Sequence, residues 1–323
     1  MLPLSRSLAC ATLLLAAHPA AARAQAWLDS LRVAETPRYV VYAPTDADLL
    51  QARGELDHAV AAFARHFGGP PPRIAVLLTD RNPPRDFEAA FHRRGLRVLA
   101  WLTDRGWDAQ HAGMEGGRPH SEARILPHEA CHAFLSAHVD ARQGRPLPGG
   151  GPRTRTTHYG HPALPDWLDE AAAVLCEHDD DRARREARMA ERLDARIPLA
   201  EFLTMAHPLS GAFAVRTGPG APAPRGAPGE ASAPPAPGTY MGAMTFQNVL
   251  TPDATVRATT FYAQALSFTR FLSERYGSGA VGRVVEGVAD GRPVGEALAS
   301  IGAPADTARL EAAWVQWVRG RQP

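Results

Sequence analysis

His128, Glu129 and His132, in the run Ile125-Leu126-Pro127-His128-Glu129-Ala130-Cys131-His132, have the types and spacing that metal chemistry needs. On a helix each residue advances about 100°, so two positions four apart lie about 40° from one another on one face. Two imidazoles placed that way can each present a nitrogen to one Zn²⁺ at about 2.0–2.1 Å. Glu129 falls one residue further round, where it reaches a water at the ion without ligating it. The chemistry implied is hydrolysis: zinc lowers the pKa of the water, and the carboxylate takes and passes on its proton.

A zinc site of this kind needs a third protein ligand. His138 stands six residues past His132, the spacing at which metzincins place a third histidine. That pattern requires glycine at the position held here by Leu135, because the chain must leave the helix through a residue free to take positive φ. The run Ala133-Phe134-Leu135-Ser136-Ala137 reads as continuing helix and turns His138 about 120° away from His132. The other candidate is Glu170, in Pro165-Asp166-Trp167-Leu168-Asp169-Glu170-Ala171-Ala172-Ala173, with Asp166 a reasonable N-cap before an Ala-rich helix.

An H-E-x-x-H helix followed by a second helix that opens W-L-x-E-x-x-A resembles the gluzincins, the peptidase MA-like clan of thermolysin-type and aminopeptidase-type zinc peptidases. The resemblance implies His128, His132 and Glu170 as metal ligands, Glu129 as general base, one Zn²⁺ and a peptide or protein substrate. It extends to Thr259–Gly277, where Tyr262 matches a tyrosine that hydrogen-bonds the oxyanion in the aminopeptidase branch; a core tyrosine is the competing reading, and His207, Tyr240 and Tyr276 are weaker candidates for that task. Three features depart from the pattern: Ala171 stands where the aminopeptidases carry glycine, 37 residues lie between His132 and Glu170, and Pro127 directly precedes His128. A G-x-M-E-N motif for the substrate amine is also missing. A non-catalytic binding or scaffold protein, or a hydrolase of a non-peptide amide such as cell-wall material, would carry the same motif.

The elements expected to position these residues begin with a strand–helix alternation: strands at 38–42, 73–79 and 96–101, and helices at 46–67 and 85–93. The H-E-x-x-H helix follows, and after Glu170 the chain reads almost wholly helical, at 171–193, 199–205, 259–276, 280–289, 294–301 and 305–319. The expected fold class is α+β, a small mixed sheet with helices leading into the H-E-x-x-H helix and then a mainly α-helical part. The expected divisions are a signal peptide at 1–24, an α/β subdomain at 25–140 and a helical subdomain at 141–323. Gly, Pro and Ala dominate 217–239, which reads as a flexible loop, and 141–164 as an added loop beside the cleft.

Arg6, the apolar run Ala9–Ala17 and Ala22-Arg23-Ala24 have the layout of a secretory signal, so the expected location is exported, periplasmic or secreted. No stretch is long and apolar enough to suggest stable membrane insertion. A net charge of +1 gives no electrostatic case for nucleic acid. All 35 basic residues are Arg, which excludes Schiff-base lysine chemistry and a P-loop. Cys131 and Cys176 lie on the two ligand-bearing helices, either as a disulfide or as two buried thiols. Asp169 and Glu177 share the Glu170 helix, with Glu177 a support for a ligand or a surface charge. His111, His120, His158 and His161 are expected in solvated loops near the motif.

Overall fold

The apolar runs at 39–43 and 74–79 have no polar side to turn to water, a pattern suited to parallel strands covered on both faces. The computed structural model of the chain describes residues 19–81, 83–84, 87–110, 121–145, 160–208, 213–215, 248–250 and 252–321, and it has that arrangement. Strands β1 (Arg32–Glu35), β2 (Tyr39–Ala43), β3 (Ile74–Thr79) and β4 (Arg97–Leu102) form one sheet in chain order. β1 runs antiparallel to β2, while β2, β3 and β4 are parallel. The parallel crossovers contain α2 (Asp46–Phe67) and α3 (Phe87–His92).

Period-two alternation sends the strand side chains to two cores. Tyr39, Val41, Ala43, Ile74, Val76 and Leu78 join the larger core, with α2 and α5 (Glu122–Arg142). Val40, Tyr42, Ala75 and Leu77 pack on Leu28 of α1 (Pro19–Asp29) and on Phe87, Ala90 and Phe91 of α3. A short α4 (Asp104–Gln110) precedes α5. The helical part comprises α6 (Asp166–Leu175), α7 (Asp179–Glu191), α8 (Leu199–Phe202), α9 (Pro252–Tyr276), α10 (Ala280–Ala289), α11 (Val294–Ser300) and α12 (Thr307–Arg319). The architecture is mixed α+β, and the larger core holds residues from Tyr39 to Val318, on both sides of position 140. Trp314 sits in that core with its indole N–H on the Ser267 hydroxyl, and Trp317 packs at its edge.

Helix α2 matches the expected 46–67 because both ends are coded. The Thr45 hydroxyl accepts the Asp48 N–H at 3.2 Å, and Gly68 leaves the helix at φ 77°. Three expectations need correction. The helix expected at 171–193 is two helices, broken at Cys176–His178, and the three aspartates at 179–181 mark the start of the second. α5 starts at Glu122 and carries Pro127 inside it, so the helix does not begin at the proline. Pro165 is the N-cap of α6, and Asp166 is its first helical residue. Strand β1 and a two-stranded antiparallel pair, β5 (Phe213–Val215) with β6 (Asn248–Leu250), were not expected from the sequence. Most of the expected signal (residues 1–18), the 217–239 loop and residues 146–159 lie outside the described residues. Among the described residues no helix is long and apolar enough to cross a membrane.

A cavity of about 350 Å³ at the C-terminal end of α6 is lined by residues that include Arg65, His66, Leu175, Arg182, Glu186 and Arg270. Burial first, and then Arg182, Arg65 and Arg270, push the His66 imidazole down to about 4. The folded chain therefore holds His66 neutral, while the unfolded chain protonates it below about pH 6.5. Its stabilising contribution is full above that pH and drains as the pH falls towards 4. His66→Gln is expected to flatten the acid limb of the stability profile between pH 6.5 and 4, read by thermal melts across that range. An unchanged slope would show that His66 titrates normally.

Candidate metal centre

α5 and α6 meet across the larger core, and their contact brings the two halves of the motif together. Every residue of α6 from Asp166 to Leu175 is buried. Trp167 anchors the helix, with its ring 5.7 Å from both Phe202 and Phe268. The Cys131–Cys176 disulfide ties the middle of α5 to the C-cap of α6, with Cα atoms 6.4 Å apart. Cys131 lies directly before ligand candidate His132, so this covalent link holds the two helices at the site itself.

His128, His132 and Glu170 form a buried group whose donor atoms all lie within 4.8 Å of one another. The two Nε2 atoms are 3.3 Å apart. Two nitrogens on a tetrahedral ion at about 2.0–2.1 Å stand about 3.3–3.4 Å from each other, so the spacing fits one shared metal. The Glu170 oxygens lie 3.6 Å from these nitrogens, Oε2 from His128 and Oε1 from His132. The Glu170 carboxylate is 0% exposed, and among the described residues neither oxygen has a hydrogen-bond partner. A bare buried carboxylate is costly unless a cation satisfies it. That orphaned pair of oxygens is the observation that fits a metal ion to this group.

The far nitrogen of each imidazole is already held. His128 Nδ1 lies 2.9 Å from Glu177 Oε1, and His132 Nδ1 lies 2.9 Å from Asp169 Oδ2. A carboxylate there accepts the Nδ1–H hydrogen bond, fixes the tautomer and leaves Nε2 bare towards the ligand group. Burial alone would depress the His132 imidazolium, but Asp169, Glu170 and more distantly Glu129 outweigh it and raise it to about 10. Burial alone would likewise raise the Glu170 carboxyl, yet His132, His207 and His128 bring it down to about 2. Without a metal, the group balances its charge with protons; a metal ion would displace them.

Glu177 is the residue whose role the sequence conceals most. It lies beyond the C-cap of α6, so the seven-residue spacing from Glu170 does not place it on a helical face. The break at 176–178 turns its carboxylate back onto His128. Arg185 of α7 then grips Glu177 with two bonds, Nε to Oε2 at 2.6 Å and Nη2 to Oε1 at 2.5 Å. The Glu177 carboxyl is held at about 2, against burial, by His128 and Arg185. The Arg185 guanidinium also lies 4.9 Å over the Tyr262 ring. Nothing in the sequence points to Arg185 among 35 arginines.

Asp169 depends on a glycine. Gly160 has φ 71°, and a Cβ there would overlap the Asp169 carboxylate. Gly160→Ala is expected to push Asp169 off His132 Nδ1 and to weaken zinc binding by about 10–100-fold, the usual cost of disturbing such a partner. Competition against a chromophoric chelator reads the affinity; unchanged binding would mean that Asp169 does not set the His132 ring.

The remaining candidates separate cleanly. Glu129 is half-buried on α5, next to His128 and outside the ligand group. Tyr262, on α9, has its ring 6.2 Å from the His128 ring and 5.5 Å from the His207 ring, so it stands beside the group. His207 is fully buried there too. Tyr276 packs on Phe271 at the other end of α9, about 21 Å along the helix from Tyr262. His138 turns to the Phe63 ring, 6.2 Å away, and is not in the ligand group. His161 is not solvated as expected: it is buried against Asp140, Nε2 to Oδ1 at 3.0 Å. His111, His120, His158 and Tyr240 lie outside the described residues. Comparison with models of known protein families, with curated proteins and with solved structures finds no match to this chain.

Proposed function

We propose that the chain is an exported zinc metallopeptidase of gluzincin type, with His128, His132 and Glu170 holding one Zn²⁺. The observation that carries this reading is the buried Glu170 carboxylate, without a hydrogen bond and facing two imidazole nitrogens at 3.6 Å. The donor set of two neutral imidazoles and one carboxylate is the one that catalytic zinc sites use. Bound zinc supplies Lewis acidity and brings the pKa of water near neutrality. Glu129, beside the ligands but free of their hydrogen bonds, takes the proton of the attacking water and delivers it to the departing amine. Tyr262, whose ring lies 6.2 Å from the His128 ring, would offer its phenol to negative charge growing on the carbonyl oxygen. Asp169 and Glu177 orient the imidazoles. The buried Cys131–Cys176 disulfide supports the exported location, because such bonds persist in oxidising compartments.

The test is metal analysis of the purified protein together with digestion of casein and a peptide library. About one zinc per chain is expected, with cleavage lost on chelation and restored by added zinc. Zinc bound without cleavage of any peptide would sink the peptidase reading in favour of binding or of a non-peptide amide substrate.

A further inference from the structure

His128 and His132 each have a carboxylate behind them, but among the described residues neither Glu170 oxygen accepts a hydrogen bond, and the terminal torsion of a glutamate is broad and soft. A ligand carboxylate free to rotate about that torsion would present its oxygens poorly. One side chain from outside both ligand helices points at it. His207, five residues beyond α8, places Nε2 3.3 Å from Glu170 Oε1, with both side chains 0% exposed. Its main chain is fixed to the start of α6, where the Asp166 carboxylate accepts the His207 backbone N–H at 2.5 Å. Its ring stands edge-on between two aromatic rings of α9, 5.3 Å from Phe261 and 5.5 Å from Tyr262. Backbone and ring are thus restrained from two directions, with Nε2 3.3 Å from Glu170 Oε1. His207 does not belong to the group of three whose donor atoms lie together.

We propose that His207 is the positioning residue of the third ligand: its Nε2–H engages Glu170 Oε1 and fixes the plane in which the carboxylate meets the metal. The inference rests on the metal-centre reading above. An N–H donor suits this place because it orders a carboxylate that has to meet a cation in one plane. It also draws electron density from Glu170, whereas Asp169 and Glu177 lend density to the two imidazoles. The 3.3 Å contact is long for a hydrogen bond and within a small ring movement of one.

The experiment compares zinc affinity, by chelator competition, and the visible absorption of the Co²⁺-substituted protein in wild type, His207→Phe and His207→Gln. Phenylalanine fills the slot without a donor; glutamine places an amide N–H close to the Nε2 position. His207→Phe is expected to bind zinc about 10–100-fold more weakly and to alter the Co²⁺ bands, while His207→Gln stays within about threefold of wild type with wild-type bands. If the phenylalanine variant does not fold, His207→Asn, whose amide falls short of Oε1, takes its place with the same expectation. Wild-type affinity in the donor-less variant would overturn the proposal. Equal loss in the glutamine variant would also overturn it and make His207 a ligand in its own right. A wild-type protein that binds no zinc would fail the metal-centre reading instead.

Discussion

Glu129→Gln is expected to keep a full equivalent of zinc and to lower peptide hydrolysis by about 10³-fold, the middle of the range for a lost general base. The amide preserves the volume and half-buried placement of the side chain on α5. Glu129 is not in the ligand group, and the bonds that orient the two imidazoles come from Glu177 and Asp169. Zinc binding should therefore survive while basicity disappears. Loss of the Glu129 charge leaves His132 still facing Asp169 and Glu170, the first two carboxylates raising it. The measurement pairs metal content with the turnover of a peptide found in the library digest. Retained turnover would sink the mechanism, and lost zinc would move Glu129 from base to structural support.

The closeness of His128 and His132 was legible because a helix has a fixed period. His128 and His132 are four apart, Leu135 closes the route to His138, and the W-L-x-E run announces a second buried helix. The strands and α2 were legible for the same reason: continuous apolar runs mark the strands and helical apolar spacing marks α2. The support of the site was hidden because it depends on where the chain stops being regular. The break after Leu175 carries Glu177 to His128, a positive-φ glycine admits Asp169, and an irregular segment after α8 delivers His207. The aspartates at 179–181 were a readable start signal for α7, and weighing them would have exposed the break. Arg185 and Arg182 look alike in the sequence. Only packing gives one to Glu177 and the other to Asp179 and the Leu175 carbonyl.

Glu170→Ala carries the second large effect, and it separates a ligand from a bystander. Removing the one carboxylate of the donor set leaves two imidazoles, a pair that holds zinc far less tightly than three donors. Chelator competition should give the variant at least a hundredfold weaker zinc affinity than wild type, a larger loss than the about 10–100-fold cost of disturbing an orienting partner. The same loss should appear in stability. A ligand that binds only the folded state stabilises it by about 4.1 kcal/mol at a thousandfold excess over its dissociation constant. For a chain of this size that corresponds to a rise in melting temperature of about 8 °C. Zinc should give wild type that rise and, at a hundredfold weaker affinity, give Glu170→Ala no more than about a third of it, with each protein compared against its own zinc-free melt. That internal reference matters because Glu170 is also buried among three histidines, and its removal changes the metal-free protein by an amount of its own. A zinc-dependent rise of equal size in the variant would mean that the metal sits elsewhere. Glu170 would then be a buried counter-ion for His132, and the assignment of α6 as the third-ligand helix would fall.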